Sequence, residues 1–185
     1  MKQIALLGGS FNPPHIAHQM LALWALSTGK ADEVWLVPCY QHPLGKPLIP
    51  FAERVEMCWL ITRLFLSDHV KVCRVEETIK GPSRTLLTLQ HLMAHAPEHR
   101  FSLLIGADIL QEKESWYRFD EIEKLAPILV VGRSGYPSPE GSLVLPDISS
   151  TIIRDKLLIG EDVSALVPRT VLEYIHVHQL YRRQA

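Results

Sequence analysis

The run Gly8-Gly9-Ser10-Phe11-Asn12-Pro13-Pro14-His15-Ile16-Ala17-His18 gathers two glycines, a rigid Pro-Pro pair and two histidines into one short stretch. It follows an apolar segment, Gln3 to Leu7, and leads into residues of helical period. A strand, a glycine turn and a helix start aim backbone N–H groups and the positive end of a helix dipole at an anion. On a helix the spacing of His15 and His18 puts both imidazoles on one face of the first turn, within reach of the same phosphoryl group. A tight turn beside solvated histidines is the plainer reading of either feature alone. Their combination at the carboxyl end of a strand favours a phosphate site. The stretch matches neither the G-x-G-x-x-G fingerprint nor a P-loop.

A second cluster, Ile148-Ser149-Ser150-Thr151-Ile152-Ile153-Arg154, opens another helix with hydroxyls. A serine N-cap explains the hydroxyls by themselves. Arg154, one turn further on, falls on the side of the N-terminal amides and can fork two phosphate oxygens. Together the two clusters suit a polyphosphate. His91 and His95 have i, i+4 spacing but lack the glutamate of H-E-x-x-H and a third ligand, so no metal site is assigned. Asp120, Glu121 and Glu123 read as solvated helix charges, and Trp24, Trp35 and Trp59 as core.

These residues need a scaffold, and the chain describes one. Short apolar runs at Gln3 to Leu7, Glu33 to Val37, Val70 to Val75, Phe101 to Ile105, Ile128 to Val131 and Ser142 to Leu145 read as strands. Between them, helical period predicts helices from about His15 to Thr28, after Pro50, from a Ser83 cap onward, and over Ser150 to Leu158. The helix after Pro50 presents Phe51, Val55, Cys58, Ile61 and Phe65 on one stripe. Pro168 is placed as the first residue of a closing helix to about Tyr181. This order predicts an α/β fold, a Rossmann-like, doubly wound parallel sheet with helices on both faces and ligands beyond the carboxyl ends of the strands. The Pro- and Gly-rich stretches Cys39 to Pro50 and Arg133 to Pro146 are the expected mobile loops.

Bulk properties narrow the class. A length of 185 residues with 47% hydrophobic content supports one substantial core, so residues 1–185 are expected to form a single domain. The formal net charge is -1 and charges are dispersed, which argues against nucleic acid as a partner while leaving room for a locally basic cleft. The three cysteines, Cys39, Cys58 and Cys73, form no Cys-x-x-Cys pair and read as buried thiols. No apolar run approaches membrane-spanning length, and a reducing cytoplasm is the expected location.

With GGSFNPPHIAH near one end and ISSTIIR near the other, the chain resembles the H-x-G-H nucleotidyltransferase superfamily. Pro82-Ser83-Arg84-Thr85, Ile105-Gly106-Ala107-Asp108, Trp116-Tyr117 and Gly132-Arg133-Ser134-Gly135-Tyr136 resemble, in that order, the bacterial nicotinate-nucleotide adenylyltransferase family. The resemblance implies that Gly8, Gly9, Ser10 and Phe11 line the adenylate site and that His15 and His18 contact ATP phosphates. It implies that Ser149, Ser150 and Arg154 grip the triphosphate from the other side. Gly106 and Asp108 would lie along the adenosine, Arg133 would border the adenine pocket, and Thr85, Trp116 and Tyr117 would meet the pyridine nucleotide. Trp116 offers a ring to stack on, and the amides around it a place for a carboxylate.

The chain departs from the family twice. Ala17 stands where glycine usually separates the histidines, a small and helix-favouring replacement. In the loop after the second strand, His42-Pro43-Leu44-Gly45-Lys46 replaces an adjacent His-Lys or His-Arg. Of His42 and Lys46, Lys46 is taken for the phosphate role as a permanent charge on a flexible stem.

The implied reaction transfers AMP from ATP to nicotinate mononucleotide, with Mg2+ accompanying ATP, to give deamido-NAD and pyrophosphate. His15, His18, Lys46 and Arg154 are the expected catalytic residues. Phosphopantetheine adenylyltransferase shares both outer signatures, but the central residues favour a pyridine nucleotide. Nicotinate is preferred over nicotinamide mononucleotide by the resemblance. A reading of another class is a regulatory protein that binds nucleotide without catalysis, and intact His15, His18 and Arg154 count against it.

Overall fold

In the computed structural model, which describes residues 1–65, 68–137 and 143–182, the strands in chain order are β1 (Gln3–Gly9), β2 (Glu33–Pro38), β3 (Val70–Val72), β4 (Arg100–Gly106), β5 (Ile128–Arg133) and β6 (Val144–Leu145). The helices are α1 (Ile16–Ser27), α2 (Phe51–Thr62), α3 (Val75–Ile79), α4 (Thr85–His95), α5 (Ala107–Gln111), α6 (Phe119–Leu125), α7 (Ser150–Leu158) and α8 (Arg169–Val177). Along β1, Ile4 and Leu6 face one side, Ala5 and Leu7 the other, and all four are buried. A strand that is apolar on both faces needs cover on both. Buried residues of α1, α2, α7 and α8 pack on the side of Ala5 and Leu7, and those of α4 and α6 on the side of Ile4 and Leu6.

Every pairing is parallel, and the strand order is β3-β2-β1-β4-β5-β6. The chain therefore winds outward from β1 through β2 to β3 and then crosses to β4 on β1's other edge. Connections on the two sides of that switch leave in opposite directions and open a crevice at the carboxyl ends of β1 and β4. Gly8 lies beside Val37 and Gly9 beside Pro38, so the first glycine turn and the loop after β2 emerge together. This is the predicted doubly wound sheet.

Several local expectations change. The strand expected over Val70 to Val75 stops at Val72, because Val75 opens α3 with Glu76 and Glu77 in its first turn and Arg74 paired to Glu77. Ser83 does not cap α4. Its hydroxyl donates to the Glu76 carboxylate, and Arg84 occupies the N-cap position. Pro168 stands just outside α8 as its N-cap, and the helix ends at Val177, followed by turns through Tyr181. Trp59 is 51% exposed rather than core, whereas Trp24 and Trp35 pack partly buried against the two core clusters. Cys39 and Cys58 are buried and Cys73 half-buried, all three free. Of the strand expected from Ser142, β6 is present, and Ser142 itself lies outside the described residues. No helix among the described residues is long and apolar enough to cross a membrane.

Candidate active site

A cavity of about 490 Å³ opens at the carboxyl ends of β1, β2 and β4. Its wall holds residues of both clusters singled out in the sequence, together with Gly106, Asp108, Arg133, Thr85, Trp116 and Tyr117. Residues as far apart in sequence as Gly8 and Arg154 thus share one concave surface.

At its floor, His15 is extended (φ -145°, ψ 174°) and caps α1, one residue outside the helix. Its backbone N–H donates to Nδ1 of His18 at 3.0 Å. Since Nδ1 of His18 accepts, the proton of the neutral ring sits on Nε2, leaving an N–H donor for a ligand. The two imidazoles lie 3.9 Å apart between centroids. Burial lowers both pKa values: His18 falls to about 4, with Arg133 adding to the shift, and His15 falls further because His18 and Arg133 act on it too. Both rings are therefore uncharged at neutral pH in the free protein.

Phe11 does not line the cavity as expected. It is 1% exposed, takes a positive φ of 47°, and packs its ring 4.8 Å from that of His18. A β-carbon on Gly9 would stand 3.4 Å from the same ring, an ordinary contact, so Phe11 closes over the second glycine. Phe11 thus sets the position of a site residue without forming the wall.

Arg54 was not singled out in the sequence. Although 1% exposed, it lacks a carboxylate partner among the described residues and donates instead to backbone carbonyls. Nη1 reaches Ser10 O at 2.9 Å and Cys39 O at 2.8 Å, Nη2 reaches Tyr40 O at 3.3 Å, and Nε reaches Ile49 O at 3.1 Å. One guanidinium thereby fastens the loop after β1 to the loop after β2. Its sequence signal is an arginine on the otherwise apolar stripe of α2.

The second cluster is bound to the first. Ser149 caps α7, accepting the N–H of Ile152 at 3.2 Å. Ser150 Oγ donates to Pro13 O at 2.8 Å, and Arg154 Nη1 to Asn12 O at 2.7 Å. Ser150 and Arg154 thus meet the loop that leads to His15, while the Ser149 hydroxyl serves as the helix cap.

Beyond β4, Arg133 Nη1 meets Asp108 Oδ2 at 2.6 Å, and Nη2 reaches Ile148 O at 2.9 Å. Asp108 Oδ1 is buried with no hydrogen-bond partner among the described residues, an acceptor at the cavity suited to a ligand hydroxyl. A β-carbon on Gly106 would come within 2.4 Å of that oxygen.

At the opposite end, Thr85 begins α4 and Tyr117 is 45% exposed. Trp116 packs edge-on to Phe119 at 5.8 Å. Arg84 lies over the Tyr117 ring at 5.7 Å and Arg118 over it at 5.9 Å. Glu76, missed in the sequence, is buried behind this end and accepts from Thr88 Oγ1 at 2.7 Å, from the Ser83 hydroxyl and from the Tyr40 N–H at 3.3 Å. Lys46 and His42 both line the cavity. Burial, then the charge of Lys46, lowers the pKa of His42, whose Nδ1 accepts the Leu44 N–H at 3.1 Å.

Among the described residues no group of three His, Cys, Asp or Glu side chains could hold a metal. His91 and His95 stack at 4.0 Å, and Nδ1 of His95 contacts the carbonyl of His91 on its own helix at 2.8 Å.

The model of the cytidylyltransferase-like family matches residues 6–156. A protein of Anaeromyxobacter dehalogenans (strain 2CP-C) named "Probable nicotinate-nucleotide adenylyltransferase" is 52% identical, covering 98% of this chain and 97% of its own length. One of the same name from Myxococcus xanthus is 44% identical, covering 97% and 94%. The Plasmodium falciparum nicotinic acid mononucleotide adenylyltransferase solved in complex with NaAD superposes with a TM-score of 0.81 at 20% identity, covering 98% of each chain, a likeness of fold. With the family model spanning most of the chain and a relative sharing half of all residues end to end, this chain belongs to the nicotinate-nucleotide adenylyltransferase family of the cytidylyltransferase-like proteins.

Proposed function

We propose that the chain transfers the adenylyl group of ATP to nicotinate mononucleotide, releasing pyrophosphate and forming deamido-NAD. The observation that carries this reading is the continuity of one cavity from the His15–His18 and Ser149–Arg154 clusters to the Thr85, Trp116 and Tyr117 end. A triphosphate fits the first end and an aromatic, anionic mononucleotide the second. Arg84, over the Tyr117 ring and without an ion-pair partner among the described residues, brings a cation to that second end. This supports a ring carrying a carboxylate over one carrying an amide.

The mononucleotide's phosphate oxygen attacks the α-phosphorus of ATP in line. The new P–O bond forms as the bond from the α-phosphorus to the bridging oxygen breaks, and pyrophosphate leaves with that electron pair. The nucleophile is already ionised at neutral pH, so the protein's task is alignment and stabilisation of charge. His18 Nε2–H and His15 serve the phosphates from the loop, while Arg154 and the first turn of α7 serve them from the other wall. Lys46, with His42 beside it, covers the phosphates from the loop after β2. Asp108 accepts from the ribose, Arg133 holds Asp108 and borders the base, and Gly8, Gly9, Ser10 and Gly106 leave room for the nucleotide. ATP enters as its Mg2+ complex, since the wall offers cationic and neutral donors rather than a carboxylate cage. One domain over 1–185 carries both halves of the site, and its free thiols suit a reducing cytoplasm.

The test is pyrophosphate release with ATP and Mg2+, offering nicotinate mononucleotide, nicotinamide mononucleotide and phosphopantetheine in parallel. Preference for the first is expected. Release only with phosphopantetheine, or ATP binding with no release at all, overturns the reading.

A further inference from the structure

Tyr181 lies beyond α8 and does not line the cavity, yet its hydroxyl donates to Asn12 Oδ1 at 2.8 Å across 169 residues of sequence. Asn12 does line the cavity, in the loop that leads to His15, and is 2% exposed. The backbone carbonyl of the same residue accepts from Arg154 Nη1 at 2.7 Å. Both oxygens of one buried asparagine are therefore held by groups from the far end of the chain, one of them a cationic side chain on the cavity wall.

The backbone around Tyr181 is built for this contact. Gln179 and Tyr181 both have positive φ, 53° and 58°, in non-glycine residues. Conformations of this kind persist only where surrounding contacts over-determine them. Here the turn packs Leu180 and the Tyr181 ring against the core and directs the hydroxyl to Asn12. Removal of the hydroxyl would leave Asn12 Oδ1 buried without this donor, on the residue whose own carbonyl carries Arg154.

We propose that Tyr181 is a positioning residue for ATP: through Asn12 it fixes the loop that seats the Arg154 guanidinium toward the triphosphate. The adenylyltransferase reading supplies the ligand, but the contact predicts an effect on ATP alone. ATP occupies the histidine and α7 end of the cavity and the mononucleotide the other, so the two substrates respond differently.

The experiment compares the unaltered chain with Tyr181→Phe, which keeps the ring packing and deletes one oxygen, and with Val171→Ala, which opens a void under α8 away from the turn that carries Tyr181. ATP affinity is measured by calorimetry without acceptor, alongside KM for ATP and for nicotinate mononucleotide, and Tm. Tyr181→Phe is expected to weaken ATP binding and raise its KM about three- to tenfold, leaving the mononucleotide KM unchanged. Val171→Ala is expected to lower Tm while ATP affinity stays at the wild-type value. Wild-type ATP affinity in Tyr181→Phe, equal weakening toward both substrates, or the same ATP loss in Val171→Ala each overturns the proposal. Calorimetry needs no turnover, so absence of activity with nicotinate mononucleotide counts against the acceptor assignment and not against Tyr181.

Discussion

The backbone N–H of His15 donates to Nδ1 of His18, so the residue that caps α1 also chooses the tautomer of the next histidine. The donor presented by His18 is a neutral Nε2–H. In the proposed reaction its strength would come from position in an enclosed site rather than from charge. His18→Ala is expected to lower kcat by about 10²–10³-fold, the loss typical of one preorganised donor at a transition state. The KM for nicotinate mononucleotide should change little, and a steady-state comparison at saturating ATP checks this.

The depressed pKa of His18, about 4, has two consequences. In the free enzyme it titrates below the physiological range, so kcat/KM for ATP should show no His18 step between pH 6 and 8. A step near 6.5 that vanishes in His18→Asn refutes this. For stability, a histidine lowered on folding favours the native state fully above its unfolded pKa of about 6.5. That contribution is lost as pH falls from there through about 4. His18→Asn should therefore flatten the acid side of a Tm-against-pH curve.

Replacing Arg54 strips donors from the carbonyls of Ser10, Cys39, Tyr40 and Ile49 at once. Arg54→Met should cost about 3 kcal/mol, at the lower end of what breaking a buried charged network costs. For a chain of this size that is a fall of about 6–12 °C in Tm. Arg54→Lys should recover little, because an ammonium cannot reproduce the planar fork. Thermal melts of both variants decide it.

Arg84→Met removes one of the two cations over Tyr117, the one that lines the cavity, while preserving much of the stem. The ratio of kcat/KM for nicotinate over nicotinamide mononucleotide should fall about tenfold, or about 1.4 kcal/mol. An unchanged ratio would show that backbone amides alone choose the ring substituent.

Gly106→Ala puts a methyl group where Asp108 Oδ1 now lies, 2.4 Å from the built β-carbon. Asp108 must then rotate away from Arg133, and ATP affinity should fall about tenfold or more while the fold survives. Calorimetry together with circular dichroism tests both halves of this statement.

The sheet was legible because period-2 and period-3.6 patterns along the chain agree with burial, as in the alternation of Ile4 and Leu6 against Ala5 and Leu7. The two clusters that share the cavity were legible because glycines, histidines, serines and an arginine at helix starts have few other uses in combination. Arg54, Glu76 and Tyr181 were not. Each acts on backbone or side-chain groups distant in sequence, and no local pattern records which carbonyl a buried guanidinium will meet. Ser83 looked like a cap because its type suits one, but the nearby Glu76 carboxylate offered its hydroxyl a buried acceptor. Phe11 was taken for a wall residue by the family resemblance, whereas its left-handed backbone turns the ring inward.

The joining of Asn12 and Pro13 to Ser150, Arg154 and Tyr181 also sets a timetable for biosynthesis. A ribosome delivers the glycine–histidine loop well before these partners, and β1 waits for residue 100 onward before its second neighbour exists. A nascent chain thus carries one wall of the cavity through the synthesis of more than a hundred further residues before Ser150 and Arg154 can close against it.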